Sequence, residues 1–313
     1  MRAVLWVEEM KYAGEDAVWK STGGFIYPAA KCCIYCGLQG SARSNEHIVP
    51  MALHGASVLP NAVCESCQVT TGKYESFVLR QMFGIHRRAL GYPSQNRQSR
   101  RLKMHGVVSV VGGDGIELPI QSDWLPPISM VMPIFDLPSL AFSAPLAVIG
   151  AGSKLVGLMG KWEAEKSLSL GGGSLPVKVR MGQYQETIFT QFLAKLAHSH
   201  AMAAIGEGQF RPLLIDFLLR GEGAPRMLVG GEVIVPPAED EIFSITLGEI
   251  KTPGNKSYLA ARIRIFSYMA MPVYIVIIGA DFEGDFRSIK AGAYLKPIKF
   301  ELVGEDGEPP SKP

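Results

Sequence analysis

Residues 33–67 read CIYCGLQGSARSNEHIVPMALHGASVLPNAVCESC, a segment that opens and closes with a Cys-x-x-Cys pair. The first pair is Cys33 and Cys36, the second is Cys64 and Cys67, and 27 residues separate them. Four thiolates in two such pairs make a closed tetrahedral Zn²⁺ site, with no coordination position left for a substrate. The spacing therefore predicts a structural zinc ion bound by these four cysteines.

Free or redox-active thiols are the alternative interpretation of the same cysteines. A thioredoxin-like pair belongs in a βαβ context, which the sequence around these pairs lacks. The chain has five cysteines, and an odd number in a chain of 313 residues is not typical of a secreted disulfide framework. The fifth, Cys32, is a competing ligand, but Cys33 gives the spacing that a zinc knuckle requires.

Between the two pairs lies the dipeptide Glu46–His47, followed by the apolar residues Ile48 and Val49 and by Pro50. A neutral imidazole can accept a proton from water near pH 7, and a carboxylate can bind a divalent cation. Neighbouring side chains on a strand point to opposite faces, so one of the two can bind a metal while the other stays free as a base. The alternative is a surface Glu–His pair in the loop of a zinc ribbon.

The segment from Cys33 to about Gly91 resembles the HNH endonucleases, in particular a bacterial and phage subfamily with two Cys-x-x-Cys pairs. The resemblance rests on the Glu-His-Ile-Val-Pro run at residues 46–50, on residues 58–64 and on residues 71–80. It implies a zinc-stapled ββα-metal fold and metal-dependent hydrolysis of DNA phosphodiester bonds. The catalytic ion that it implies is Mg²⁺ or Mn²⁺.

The resemblance also implies roles for individual residues. Glu46 becomes a ligand of the catalytic ion and His47 the general base. The family takes a second ligand, His or Asn, directly after the last cysteine; this chain has Gln68 there, whose carbonyl can bind Mg²⁺ or Mn²⁺ but carries no charge. Asn61 is the candidate that orients the His47 ring, in a shortened hairpin. Glu75 lies on the same helix face as Gln68, roughly 10 Å along the axis, and is expected to support the site.

Apolar side chains recur at helical spacing after Cys67 and stop at Gly91, which predicts a helix over this segment. Eight basic residues and one acidic residue fall between Lys73 and Lys103. Such a run favours contact with a polyanion, although a solvated helix face has the same composition. The predicted nucleic-acid contacts are Lys73, Arg80, Arg87, Arg88, Arg97, Arg100 and Arg101. Tyr92 is expected to stack on a base, and His54 to be an exposed turn residue or a phosphate contact.

The sequence pattern of residues 106–313 differs from that of residues 1–105. The predicted elements are a hairpin over residues 107–120, helices at 187–205 and 210–219, and strands at 175–181, 227–229, 233–235, 242–247, 260–266 and 273–278. The fold class is therefore α+β: an N-terminal HNH module with a basic arm, then a separate α+β domain. That second domain is expected to select the substrate, to regulate, or to mediate oligomerisation.

Charge and hydropathy indicate which partners and which location to expect. Residues 1–110 hold 13 basic and 7 acidic residues, which favours nucleic acid, most simply DNA, as the partner of the first module. Neither a signal peptide nor an uninterrupted apolar run of membrane length is present, so we expect a cytoplasmic protein with no membrane partner. One HNH centre cuts one strand, so double-strand cleavage would favour a homodimer. An effector in bacterial defence or a mobile element is a further hypothesis.

The leading prediction is a metal-dependent HNH endonuclease. The alternative is a zinc-stapled nucleic-acid-binding protein whose HNH centre is degenerate and inactive. Gln68 in place of His or Asn, and the displaced Asn61, motivate that alternative.

Overall fold

The computed structural model describes residues 18–21, 24–40, 42–89, 92, 108–111, 117–120, 128–142, 152–157, 177–179, 184–234, 242–251, 256–281 and 300–303. Helices and strands are both abundant in these ranges, which confirms the α+β class. In these ranges no helix is long and apolar enough to cross a bilayer.

The cysteine-rich segment forms two strands followed by a helix. Strand β1 (Val18–Ser21) precedes this segment. Strands β2 (Ser44–His47) and β3 (Val58–Val63) form an antiparallel pair. The loop that joins them contains a 3-10 turn (Met51–Leu53). Helix α1 (Glu65–Phe77) follows at once, then a π-helical turn (Val78–Met82) and α2 (Gly84–Ala89). The helix predicted after Cys67 therefore exists, but it is divided where the backbone changes to π-helical hydrogen bonding.

Between the two larger parts of the chain, the residues that the structure describes form five short strands and one short helix. Strands β4 (Val108–Val111) and β5 (Glu117–Ile120) form the predicted hairpin, and β8 (Val177–Val179) pairs with β4 on its other side. Strands β6 (Ile128–Ile134) and β7 (Gly152–Gly157) form a second antiparallel pair, and α3 (Ser139–Phe142) lies between them in the chain.

The largest sheet is antiparallel, with strand order β10-β13-β12-β11. Its strands are β10 (Val229–Ile234), β11 (Phe243–Lys251), β12 (Ser257–Ile265) and β13 (Pro272–Ala280), and the short β9 (Arg211–Pro212) pairs with the end of β13. The helices of this part are α4 (Glu186–Ala204), α5 (Ile215–Arg220) and α6 (Pro225–Leu228), and β14 (Phe300–Val303) pairs with β1.

The prediction of one helix over residues 210–219 was wrong in its first half. Residues 211–212 instead form a short strand that pairs antiparallel with the end of β13, so the helix begins only at Ile215. Competition from a neighbouring strand outweighed the local helical pattern.

Helix α4 connects the cysteine-rich segment with the large sheet. It contacts α1 as well as strands β12 and β13. Phe192 and Leu196 of α4 are fully buried within one hydrophobic cluster that includes Ile48 of the cysteine-rich segment and Ile263 of the large sheet. The division into domains at residue 105 stays a prediction, but the core of the described residues is continuous across the two predicted parts.

A candidate metal cluster and a buried carboxylate–lysine site

The four cysteines of the two Cys-x-x-Cys pairs converge in space. Their sulfur atoms all lie within 4.8 Å of one another, and three of the four side chains are buried while Cys36 is exposed. Bonds of about 2.3 Å from a tetrahedral zinc ion to sulfur place the sulfurs roughly 3.8 Å apart. The Sγ atoms of Cys36 and Cys64 are 3.6 Å apart. The cluster can therefore hold a metal ion and fits a structural zinc.

Local backbone geometry positions these thiols. Gly37 adopts a positive φ of 74°, and its N–H donates to the Cys33 carbonyl at 2.8 Å, which closes the first knuckle. The second pair opens α1, where unpaired N–H groups favour a thiolate. Burial acts to raise the pKa of Cys64, but hydrogen bonds from the Ser66 hydroxyl and the Cys67 N–H outweigh it and bring the pKa to about 6. Cys32 is not part of the cluster.

Glu46 and His47 occupy the last two positions of β2, opposite Leu59 and Val58 of β3. As the strand geometry predicts, they face different environments: Glu46 is only 6% exposed, whereas His47 is half-buried. The Tyr35 hydroxyl donates to Glu46 Oε1 at 3.2 Å. The Nδ1 atom of His47 is buried and has no hydrogen-bond partner in the described part of the chain.

A lysine from the distant helix α4 enters this site. The Nζ atom of Lys195 lies 2.5 Å from Glu46 Oε1 and 2.9 Å from Glu75 Oε2, and it donates to the His47 carbonyl at 2.9 Å. The side chain of Lys195 is 3% exposed and that of Glu46 8%. Three acceptors thus meet the three donors of one buried ammonium.

One feature of the sequence points to Lys195. It is the single lysine or arginine among the 19 residues of α4, in a stretch where every residue from Phe192 to Ala201 is buried. A buried lysine almost always has a partner of opposite charge. The sequence pattern alone, however, does not identify the carboxylates that pair with Lys195.

The charges in the site stabilise one another. Burial acts to lower the pKa of Lys195, but the carboxylates of Glu46 and Glu75 outweigh it, so its pKa is raised and the ammonium stays protonated. Burial raises the pKa of Glu46, and Lys195 opposes that shift. Burial lowers the pKa of His47, helped by Lys195 and opposed by Glu75, so the ring is neutral at pH 7.

Helix α4 also contacts the first cysteine knuckle. The Nε2 atom of His198 lies 2.7 Å from the carbonyl oxygen of Ile34. The ring centroids of His198 and Tyr35 are 5.5 Å apart. Burial lowers the pKa of His198 to about 4, so the ring is neutral and donates from Nε2. The helix therefore holds both the knuckle and the Glu46 strand.

The remaining predicted site residues are not gathered around Glu46. Gln68 is exposed on α1, and Asn61 lies beside Asn45, whose Oδ1 accepts its N–H at 3.2 Å, rather than opposite His47. Positive φ at Asn61 suits the tolerance of asparagine for that conformation. The roles of Gln68 and Asn61 stay predictions, without a contact to the dipeptide in support.

The basic residues divide into three groups. Lys73 and Arg80 are exposed on α1 and the π-helical turn. Arg87 is half-buried and donates to the carbonyls of Ala52 and Leu79 at 2.6 and 2.9 Å, which ties α2 to the hairpin loop. The others are Arg88, of which only the backbone is described, and Arg97, Arg100 and Arg101, which lie outside the described residues.

Two expectations about ligand contact were wrong. His54 is 7% exposed and Tyr92 is 5% exposed, and their rings meet edge to face at 4.6 Å. The hydroxyl of Tyr92 also lies 3.4 Å from that of Tyr268. Both rings belong to the core that α2 forms with the hairpin loop, so His54 is not an exposed turn residue and Tyr92 is not free to stack on a base.

The predicted Mg²⁺ or Mn²⁺ does not fit the observed donors. Glu46 is bound by the ammonium of Lys195, and a second cation beside it would be repelled. Gln68, the other predicted ligand, has no contact with Glu46 and is exposed. A divalent ion needs several oxygen ligands directed at one point, and these two residues do not supply them as arranged.

Comparisons with known proteins give no assignment, since no family model, no curated protein and no solved structure matches this chain.

Proposed function

We propose that this protein is an HNH-type endonuclease that hydrolyses phosphodiester bonds of DNA, with His47 as the general base. The observation that carries the proposal is a partly exposed histidine next to a carboxylate at the end of β2, in a strand–strand–helix unit that the cysteine cluster closes. These parts lie in the order that the HNH resemblance implies.

The chemistry assigned to His47 is the activation of water. Its imidazole accepts a proton as the water oxygen bonds to phosphorus, the bond from phosphorus to the sugar oxygen breaks, and the leaving oxygen keeps the electron pair and takes a proton from solvent. A divalent ion would supply charge at the phosphate, but Glu46 and Gln68 do not fit one as they lie, and we assign no step to it. Binding of Mg²⁺ or Mn²⁺ stays a prediction, and the proposal does not depend on it.

Exposed basic side chains support a nucleic-acid substrate. Lys73 and Arg80 project from α1 and the π-helical turn that follow the cysteine cluster. Replacing both by glutamine is expected to reduce the slope of log affinity against log salt by roughly two, about one for each phosphate contact. The matched control is Arg220→Gln, an exposed arginine of α5, which should leave that slope unchanged.

The direct test is nicking of supercoiled plasmid by the zinc-loaded chain, with and without added Mg²⁺ or Mn²⁺. We expect the wild type to nick and His47→Ala to lose at least about a hundredfold of the rate, as expected for removal of a general base. The control Glu65→Gln changes an exposed residue of the same unit and should retain the wild-type rate. Equal rates in wild type and His47→Ala would overturn the proposal, as would a wild type inactive under every condition.

A second candidate is a nucleic-acid-binding protein with an inactive HNH-type centre. The engagement of Glu46 by Lys195 favours it, together with the exposure of Gln68. It predicts salt-sensitive DNA binding that depends on Lys73 and Arg80, with no nicking by the wild type. The binding and nicking assays together separate the two candidates.

A further inference from the structure

The most unusual group in the candidate site is the buried ammonium of Lys195. It belongs to α4, about 150 residues along the chain from β2, and it contacts carboxylates from both β2 and α1. Two carboxylates that converge on one point from a strand and a helix are an arrangement typical of divalent-cation sites. Here the point between them is filled by nitrogen.

We infer that Lys195 occupies the cation position of this centre, so that its ammonium takes the place of a divalent ion between Glu46 and Glu75. The inference deepens the proposed function, because it takes Glu46 as part of the same centre. It assigns Lys195 the role of a positioning residue, which holds the two carboxylates and, through the His47 carbonyl, the end of β2.

Hydrogen-bond geometry supports this assignment. An ammonium has three donors, and those of Lys195 are satisfied by Glu46, Glu75 and the main chain of His47 at 2.5 to 2.9 Å. Tyr35 donates to the same oxygen of Glu46 that Lys195 binds. That oxygen therefore already has two donors, which leaves it poorly available to a metal ion.

Charge and burial support it as well. The Glu46 side chain is 8% exposed and that of Glu75 26%, and a carboxylate as buried as that of Glu46 needs a cation nearby. The Lys195 side chain is 3% exposed, so its ammonium is held in the site. Cations from solvent therefore do not replace it, as they can replace the ammonium of a surface lysine. Without Lys195, the same two carboxylates would face each other across a gap suited to a small cation.

The test measures Mn²⁺ binding to the zinc-loaded full-length chain, by the electron paramagnetic resonance signal of free Mn²⁺. We expect the wild type to show no Mn²⁺ site that Glu46→Gln removes. Lys195→Met, which keeps most of the length of the side chain and deletes the charge, is expected to gain one Mn²⁺ site that binds about tenfold or more tightly than any site of the wild type. Adding Glu46→Gln to Lys195→Met should abolish that gain.

The matched control is Lys256→Met, which deletes an exposed lysine just before β12 and should bind Mn²⁺ as the wild type does. Zinc content and circular dichroism establish whether each variant is folded. A wild-type Mn²⁺ site that is lost in Glu46→Gln would overturn the inference, and so would a folded Lys195→Met that gains no site. If Lys195→Met does not fold, the comparison of wild type with Glu46→Gln decides alone.

Failure of this inference is distinguishable from failure of the proposed function. Mn²⁺ binding at Glu46 in a wild type that nicks DNA would leave the nuclease proposal standing and remove the role of Lys195. Absence of nicking, with the Mn²⁺ results as expected, would remove the nuclease proposal and leave the role of Lys195 standing.

Discussion

At the scale of single residues, Lys195 and Glu46 illustrate how burial and pairing depend on each other. An isolated charge in the core costs several kcal/mol, and only a close partner with good geometry offsets that cost. Both side chains are less than a tenth exposed and lie 2.5 Å apart. The pair is therefore tolerated in the core because each member satisfies the other.

Removing the lysine alone should be the most damaging change in this site. Lys195→Met leaves two carboxylates without a cation, and we expect it to lower the free energy of unfolding by about 3–5 kcal/mol. Glu46→Gln leaves Lys195 with Glu75 and should cost clearly less. The double variant should be more stable than the sum of the two losses, as measured by urea unfolding of the zinc-loaded chain.

Lys73→Met serves as the control for these measurements, since it removes an exposed lysine and should change stability by less than about 0.5 kcal/mol. Strictly additive losses in the double variant would contradict a direct Glu46–Lys195 interaction.

His86 should make the protein sensitive to acid. Its Nε2 lies 2.8 Å from the Tyr268 hydroxyl, and burial lowers its pKa to about 3 from the ordinary 6.5. The unfolded chain therefore binds a proton before the folded chain does as the pH falls. The stability contributed by neutral His86 is complete above pH 6.5 and is lost between pH 6.5 and about 3, by up to about 1.4 kcal/mol per pH unit.

His86→Gln, which keeps a hydrogen-bonding group beside Tyr268, should flatten this dependence when unfolding is followed across that pH range. Because His198 titrates in the same window, the variant should retain part of the slope. An unchanged slope in His86→Gln would show that the His86 ring is not held neutral by the fold.

At the scale of elements, the loop between β2 and β3 is fixed by a close backbone approach. A Cβ added to Gly55 would lie 1.8 Å from the carbonyl oxygen of Val49, closer than atoms can pack. Gly55→Ala must therefore displace the loop that follows the Glu46–His47 strand. We expect a loss of about 2 kcal/mol or more of unfolding free energy, together with impaired nicking.

Gly72 offers a matched comparison within the same unit. It lies inside α1, and a Cβ there would meet no atom within 4 Å. Gly72→Ala is expected to stabilise the chain by roughly 0.5–1 kcal/mol, because alanine loses less backbone entropy than glycine in a helix. If both variants lost stability equally in thermal unfolding, the close contact at Gly55 would not be the cause.

The cysteine cluster should bind one zinc ion per chain. Cys36→Ser replaces the exposed member of the cluster and should lower zinc content well below one equivalent, whereas Cys32→Ser, outside the cluster, should retain the full equivalent. Elemental analysis of the purified chains measures both. Full zinc content in Cys36→Ser, or loss in Cys32→Ser, would contradict the four-cysteine assignment.

Much of this unit was predictable from local sequence. The Cys-x-x-Cys spacing identifies the cluster, and alternation along β2 separates Glu46 from His47, because both depend on residues close together in the chain. The burial of His54 and Tyr92 was not predictable, since it depends on α2 packing over the hairpin loop. The late start of α5 had the same kind of cause, a long-range pairing of residues 211–212 with β13.

At the scale of the whole molecule, α4 connects the two parts that the sequence separates at residue 105. It places Lys195 against Glu46 and His198 against the first knuckle, while its other side packs on the large sheet. These contacts join residues about 150 positions apart, which no periodicity or spacing encodes. The sequence therefore predicts the candidate base and the cysteine ligands, but not the residue that neutralises the site.

Anomalous diffraction from crystals of the zinc-loaded chain soaked in Mn²⁺ tests the central claim most directly, because it distinguishes the two metals at their positions. The account predicts a zinc peak among the sulfurs of the four-cysteine cluster, no manganese peak at Glu46, and Lys195 Nζ between Glu46 and Glu75. A manganese peak between Glu46 and Gln68, with Lys195 displaced, would contradict it.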